Sequence, residues 1–598
     1  MPNTTDGKFT DIDYDALKER YEAERAKRLR GDGNAQYTEL KGRADFDRDP
    51  FADPDFTREP VSGDTLVTIV GGGFGGMLAA VNLVENGITD FRIVEKAGDF
   101  GGTWYWNRYP GCMCDVESYT YLPLLEKTGY MPTMRYASAP EIFAYCQSIG
   151  RQWDLYDRAL FQTEIIDAAW DDSIDRWRLT TTRGDDITSK YLVIAGGILH
   201  KAKLPGIPGL EDFKGHKFHG SRWDYAYTGG APVEGTVMDK LADKRVGIIG
   251  TGATAVQAVP QLAKAAKELF VFQRTPSAVG VRGNGPTDEA WYRSLKPGWH
   301  KERVVNFSAA VTGREPEVDL VNDGWTEVMW RDTAPVTEDP EVWAKAEQSD
   351  FDTMEALRRR VDEIVDDPET AEKLKPYYGK TCKRVCFHDE YLPAFNQPNV
   401  HLIDTDGQGV ERITENGPVV DGVEYPVDLL VFASGFENGT DYDRRIGFDP
   451  KGRNGLSLSE CWSKGPRTLQ GVFAGGFPNL LMISTVQGAF GTNYVHFLSE
   501  VAHHIADVVA MCEEAGVQTV EATPGGEDEW LMTLYGYIGG FVQYQSVCTP
   551  SYYNGEQGEP DEKAERNLIF FGNVMEYAEI VDGWRANKDF AGLAVTKG

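Results

Sequence analysis

Two stretches of the chain share one alternation of character. LVTIV (66–70) is an unbroken apolar run, and the glycine-rich turn GGGFGG follows it. MLAAVNLVENG then repeats apolar positions at helical spacing up to Gly87, and FRIVEK is a second apolar run. Short continuous apolar runs bounded by turns predict strands buried on both faces. The same order recurs at 244–274 as KRVGIIG, TGATAVQAVPQLAKAAK and ELFVFQR. The pattern predicts two βαβ units and an α/β fold. VDLLVFASGF (427–436) predicts a further buried strand that leads into an α/β C-terminal region. Between about 284 and 376 the chain becomes tryptophan-containing and helix-prone, with proline breaks.

The first 63 residues have another character. Asp11 to Arg30 is densely charged and helix-prone, with Tyr14, Leu17 and Tyr21 sharing one face, whereas 44–63 holds three prolines and no period. This extension reads as an arm packed on the surface or as an oligomer contact. The stretch FKGHKFHGSRWD (213–224) shows neither a strand nor a helix period.

Composition narrows the partners. With 61 Lys and Arg against 93 Asp and Glu, the net charge of −32 argues against nucleic acid and anionic membranes. No apolar run is long enough to cross a membrane, and the charged N-terminus does not read as a signal peptide. Eight cysteines at irregular spacing read as reduced thiols in a cytoplasmic protein, with no metal-binding pattern.

The two glycine turns differ in a way that assigns their ligands. Gly71, Gly73 and Gly76 lie between a predicted strand and a helix, where GxGxxG permits a tight turn, close approach of a pyrophosphate and close helix packing. The helix N-terminus adds a field favourable to phosphate. Glu95 ends the second strand, 19 residues after Gly76, where a carboxylate binds ribose hydroxyls. The second turn, Gly250, Gly252 and Ala255, is followed by Arg274 in place of the acid. A carboxylate repels a 2′-phosphate and a guanidinium binds one, so the first site suits FAD or NAD and the second NADP. FAD with NADPH makes a flavoprotein that accepts a hydride. The expected organisation is an extension over 1–63 and a first FAD-binding segment over 64–215. An NADP-binding domain with its helical insertion then spans 216–395, and the chain returns to the FAD domain over 396–598.

A second informative stretch, GGTWYWNRYPGCMCDVES (101–118), follows the first turn. Together with 213–224 it resembles the type I Baeyer–Villiger monooxygenases. Their pattern F-x-G-x-x-x-H-x-x-x-W, ending in Pro or Asp, is filled by Phe213, Gly215, His219, Trp223 and Asp224. A second family pattern is filled by Gly101, Gly102, Trp104, Tyr109, Pro110, Gly111 and Asp115. The resemblance runs from about residue 64 to the C-terminus. It implies two Rossmann-like domains and the insertion of one oxygen atom of O2 beside the carbonyl of a ketone, giving an ester or lactone. In such enzymes a flavin C4a-peroxide attacks the carbonyl, and a fixed cation holds the negative charge.

The resemblance also implies roles for residues. Arg384, in GKTCKRVCF, matches the catalytic arginine, and Asp115 the acid that orients it. Thr103, Trp104, Tyr105, Trp106, Tyr121, Glu95 and Ile165 would line the flavin. Thr251, Gly252, Ala253, Thr254, Ala255, Val256, Gln257, Arg274, Thr275 and Lys383 would hold NADP, with Met113, Cys114 and Asp115 near its nicotinamide end. His219 and Trp223 would act as hinge or structural residues, and CTPSYYNG (548–555) as a mobile loop near the site. Wording in that loop and in the arm resembles relatives acting on large cyclic ketones. An N- or S-oxygenating flavin monooxygenase and a non-oxygenating NADPH reductase share the two turns and stand as alternatives. Oligomeric state stays open.

Overall fold

The computed structural model describes residues 9, 12–38, 40, 44–314, 316–329, 340–539, 541–557 and 563–597. Two sheets organise them. In the first, strands Ala159–Leu160, Phe91–Val94, Ser62–Val70, Asp186–Ile194, Arg176–Thr181 and Ile165–Asp171 lie in that order, and Leu480–Met482 also pairs with Asp186–Ile194. Pairing is parallel around Ser62–Val70 and antiparallel where the two outer strands fold back. Burial follows pairing. Val67, Ile69 and Ile93 are fully enclosed, whereas Arg176–Thr181 alternates inward and outward.

The second sheet is wholly parallel, in the order Val400–Asp404, Glu268–Gln273, Arg245–Ile249, Leu429–Phe432 and His216–His219. This corrects two expectations. The chain does not return to the first domain at 396, because 400–404 and 429–432 still belong to the second sheet. An apolar run such as LLVF is buried on both faces of either sheet, so its pattern cannot say which. The stretch 213–224, read as lacking a period, contributes the edge strand of this sheet. Four residues are too few to display an alternation.

Each glycine turn joins its strand to a helix, Phe74–Glu85 in the first unit and Ala253–Ala265 in the second. Gly71 has φ 112°, and a Cβ there would lie 2.4 Å from the Ala195 carbonyl oxygen. Gly250 has φ 108°, with the same atom 2.5 Å from the Ala433 oxygen. The two units thus close in the same way, each turn pressed on the end of a neighbouring strand. A Cβ on Gly76 would stand 1.9 Å from the Gly71 oxygen, so the third glycine sets the helix against the strand.

The stretch 284–376 is largely helical where described, from Glu289–Ser294 to Pro368–Leu374. The N-terminal helix spans Tyr14–Ala26; Asp11, where it was expected to begin, lies outside the described residues. It docks on helix Pro340–Ile364, with the Tyr14 hydroxyl donating to Asp352 at 2.8 Å and the Tyr21 ring 5.1 Å from that of Phe351. Among the described residues no helix is long and apolar enough to cross a membrane.

Not all the cysteines are thiols. Cys382 and Cys548 form a disulfide across 166 residues of sequence, while Cys112, Cys114, Cys146, Cys386, Cys461 and Cys512 are free. Reduced cysteines therefore cannot serve as an argument for compartment. Nothing in the spacing announces the bond, which depends on residues 548–557 folding back over 380–384.

Replacing Gly76 by Ala should destabilise the protein by about 3 kcal/mol, the upper part of the overpacking range, because backbone stands in the way. Denaturant unfolding of the variant checks it, and a loss under 1 kcal/mol would mean that the helix can move.

Candidate active site

A cavity of about 1960 Å³ reaches the C-terminal ends of the parallel strands of both sheets, where open α/β folds bind ligands. Its volume is roughly twice the upper bound for one drug-sized ligand, room for two cofactors. Helices Phe74–Glu85 and Ala253–Ala265 begin at Gly73 and Gly252, and neither has a side-chain cap. Their first N–H groups are left for an anion. A Cβ on Gly252 would meet nothing within 4 Å, so this turn leaves open space in front of its helix. The donors and the space fit phosphate groups of nucleotide cofactors at both turns.

The first turn is walled by aromatics. Helix Thr103–Trp106 starts at Gly102, whose backbone touches that of Gly73 so closely that a Cβ would lie 2.6 Å from the Gly73 Cα. The Trp104 indole donates to the Tyr121 hydroxyl at 3.1 Å, and the two rings meet edge to face. Glu95 is buried. Its carboxylate accepts from the Gly72 N–H and from the Ala97 N–H at 2.6 Å, while burial raises its pKa against these bonds. Thr103, Trp106, Thr163 and Ile165 also line this end. Tyr105 does not. Its hydroxyl donates to Asp49 at 2.8 Å and its ring packs among Ala97, Trp106, Phe51 and Phe143, away from the cavity.

At the second turn Thr251, Gly252, Ala253, Thr254, Gln257, Arg274 and Thr275 line the cavity, but Ala255 and Val256 point into the core. Gln257 binds the first domain's loop: its amide donates to the Met113 carbonyl at 2.8 Å and accepts from Tyr109 at 2.8 Å. Arg274 donates to Gln36 at 2.6 Å and to Glu556 at 3.3 Å, while Arg28 caps the Arg274 carbonyl at 3.2 Å. Lys383 donates to the Pro550 carbonyl at 2.8 Å. Burial and the neighbouring Arg274, Arg28 and Lys203 cations bring its pKa down to about 7.

Between the turns Arg384 grips Asp115 with both arms. Nη1 reaches Oδ2 and Nη2 reaches Oδ1, each at 2.6 Å. Asp115 is 7% exposed. Burial pushes its pKa up, but the guanidinium overrides burial and holds the carboxyl below the ordinary range. A third of the Arg384 side chain faces the cavity, 5.2 Å from the Trp325 ring. Tyr552 and Tyr553 line the same part of the wall. Cys112 and Cys114 are buried thiols whose pKa burial pushes up, which fits packing rather than reactivity.

The connector lies alongside. His219 closes the edge strand, its Nδ1 2.8 Å from the Ser221 hydroxyl, and burial together with Arg222 pushes its pKa down to about 3. It is neutral at working pH. Trp223 is wholly enclosed and donates to Thr228 at 3.2 Å. Arg222 lies 3.9 Å above the Trp106 ring, and a Cβ on Gly220 would lie 2.9 Å from Thr254. One short segment therefore touches the walls of both turns.

A family model for an NAD(P)-binding Rossmann-like domain matches residues 69–134. Over 597 residues the chain is 47% identical to neopentalenolactone D synthase from Streptomyces avermitilis, covering 98% of this chain and 100% of that protein. A Baeyer–Villiger monooxygenase from a Dietzia species is 45% identical over 592 residues, covering 98% of this chain and 96% of that one. The chain belongs to the Baeyer–Villiger monooxygenase family. The solved structure of polycyclic ketone monooxygenase from Thermothelomyces thermophila matches with a TM-score of 0.92 at 38% identity, covering 98% of this chain and 99% of that one.

In this monooxygenase several wall residues escape a reading of the sequence. Trp325 comes from the helical insertion, Lys203 from the segment between the sheets, and Gln36 and Tyr37 from the arm. None lies in a motif. For Trp325 the one signal was the tryptophan content of 284–376.

Arg384→Ala leaves the buried Asp115 carboxylate without its ion-pair partner, with only Trp325 and the more distant Arg282 to support it, a loss of about 3 kcal/mol at neutral pH. In wild type the depressed pKa contributes stability above the unfolded value of about 3.9, and this fades as pH falls through the folded pKa. In the variant the sign reverses: the pKa rises, and the penalty shrinks as pH falls through it. Denaturant unfolding at about pH 8 and about pH 5 should show the gap between the two proteins narrowing at the lower pH.

Proposed function

We propose that this Baeyer–Villiger monooxygenase converts a bulky or polycyclic ketone to an ester or lactone with O2, with FAD at the Gly71 turn and NADPH at the Gly250 turn. The observation that carries the reading is the bidentate Arg384–Asp115 pair, set in one cavity between two nucleotide-type turns. The cavity's size and the names of the relatives, a neopentalenolactone synthase and a polycyclic ketone monooxygenase, support a large substrate. The carboxylate of Glu95 supports a cofactor without a 2′-phosphate at the first turn. Arg274 and Lys383 support one with it at the second.

FAD, reduced by NADPH, supplies the activated oxygen when bound. The protein's part is electrostatic. Arg384 presents a fixed positive charge where the substrate's carbonyl oxygen gains negative charge, and its own proton stays in place because guanidinium does not titrate at working pH. Asp115 fixes the direction of that charge. Trp325, itself buried, covers one side of the guanidinium, and a low-dielectric neighbour strengthens the interaction. His219, neutral and buried, acts through position, joining the two cofactor walls across Gly220 and Arg222.

Attack on nitrogen or sulfur, as in the related heteroatom-oxygenating enzymes, requires no such cation at the reacting oxygen, and the paired Arg384 favours carbonyl chemistry. A panel of mono- and polycyclic ketones, with NADPH consumption and product identification, tests this. NADPH oxidised without ester or lactone from any ketone would sink the reading.

Two variants test the residues. Arg384→Ala should retain FAD but release hydrogen peroxide and form no ester; product at near wild-type yield would remove the arginine from the chemistry. Arg274→Ala should raise KM for NADPH by the equivalent of about 1.5–3 kcal/mol, one charge-assisted contact, and barely alter that for NADH. Equal losses with both coenzymes would refute the second assignment.

A further inference from the structure

Glu556 is a buried acid set among the basic side chains at the second glycine turn. It is 4% exposed, on turn Tyr552–Gln557. Its Oε2 accepts from Arg274 at 3.3 Å. Its Oε1 accepts from the Tyr37 hydroxyl at 3.1 Å and lies 3.7 Å from the Lys203 ammonium. Lys203 itself is covered, 3.7 Å above the Tyr37 ring. Burial pushes the Glu556 carboxyl up, but Arg274, Lys203 and Lys383 hold it below its ordinary value. Arg274 and Lys203 therefore meet one carboxylate, with the partly charged Lys383 nearby, and this positive charge suits a more highly charged anion than Glu556 provides.

The turn that carries this acid is held in an unfavourable backbone. Glu556 and Gln557 have φ of 59° and 56°, the left-handed region, which costs roughly 1–2 kcal/mol for each residue with a Cβ. At Glu556 this strain is offset by the contacts of the carboxylate and by the bond from its N–H to the Ser551 carbonyl at 2.8 Å, whereas Gln557 is held separately, its amide donating to the Gln545 carbonyl at 2.8 Å. The strain at Glu556 is relieved when its carboxylate loses its partners, while the bonds of Gln557 keep the end of the turn attached.

We propose that the Glu556 carboxylate occupies the place of the coenzyme's 2′-phosphate, so that NADPH binds by anion exchange and frees the turn carrying Tyr552 and Tyr553. This rests on the assignment of NADPH to the second turn. The phosphate takes Arg274 and Lys203, Glu556 leaves with its turn, and occupancy at the far end of the coenzyme reaches the wall around Arg384. A coenzyme without the 2′-phosphate has no means of displacing the acid. Glu556 is thus a positioning and specificity residue, and its part in selecting NADPH over NADH adds to that of Arg274.

The test is calorimetric titration of the FAD-loaded enzyme with 2′,5′-ADP and with 5′-AMP, which differ only in the phosphate concerned. Wild type should bind 2′,5′-ADP more tightly; equal binding would overturn the coenzyme assignment and the exchange with it. Glu556→Gln keeps the shape and removes the competing charge. It should bind 2′,5′-ADP about tenfold more tightly, the equivalent of one charged hydrogen bond no longer broken, and 5′-AMP unchanged. Unchanged or weaker binding of 2′,5′-ADP by this variant, with wild type still discriminating, overturns the exchange alone. Should Glu556→Gln fail to retain FAD, wild type answers through a glutamyl endoproteinase. Cleavage after Glu556 should accelerate with 2′,5′-ADP and not with 5′-AMP, and protection of that bond, or no change, rejects the proposal.

Discussion

Asp115 stays ionised in a place that water barely reaches because both of its oxygens are held by Arg384. Moving either charge alone out of water costs several kcal/mol, so each group is tolerable there only with the other. The pair also spans the molecule. Asp115 belongs to the loop that follows the first glycine turn, and Arg384 follows the helical insertion of the second domain. Trp325, from the insertion, closes over the guanidinium. Whatever separates the two domains must separate this ion pair, and whatever turns Arg384 away strands a buried carboxylate. Close registry of the two cofactor walls follows from that dependence.

Parts of this arrangement were legible in the sequence because they are local. A glycine turn between a strand and a helix is a motif of a few residues, and Ala195 and Ala433 show why each turn demands glycine first. Arg384 and Asp115 lie 269 residues apart, and only the family patterns brought them together. Facing was less legible. Tyr105 sits between two cavity-lining tryptophans and yet points toward Asp49, and Ala255 and Val256 turn into the core from a helix whose first residues face the cavity. On a helix one step of sequence is about 100°, so adjacent residues in a motif need not share a wall. The order of strands in the second sheet was hidden for another reason. Fully buried strands look alike, and 400–404 and 429–432 carry no mark of the sheet they join.

The arm was the least legible part. Its charged helix and aperiodic tail suggested a surface packing element or an oligomer contact, and the helix does pack on the insertion. Past it, Arg28, Gln36 and Tyr37 enter the second cofactor site, where they contact Arg274 and Glu556 directly or through backbone. Polar residues that bind other polar residues leave no hydrophobic period to detect. Their function becomes visible only when the groups they meet, from distant parts of the chain, are placed beside them.

The Cys382–Cys548 bond gives the last of these distant segments a mechanical character. From its anchor at Cys548 to Tyr553 the chain has five steps and reaches about 17 Å when fully extended. The loop beside Arg384 is therefore on a short leash. Whatever movement it makes, it cannot drift from the mouth of the cavity. The other end of the leash is fastened two residues before the arginine, so a pull on the flap is also a pull on the backbone that aims the site's central charge.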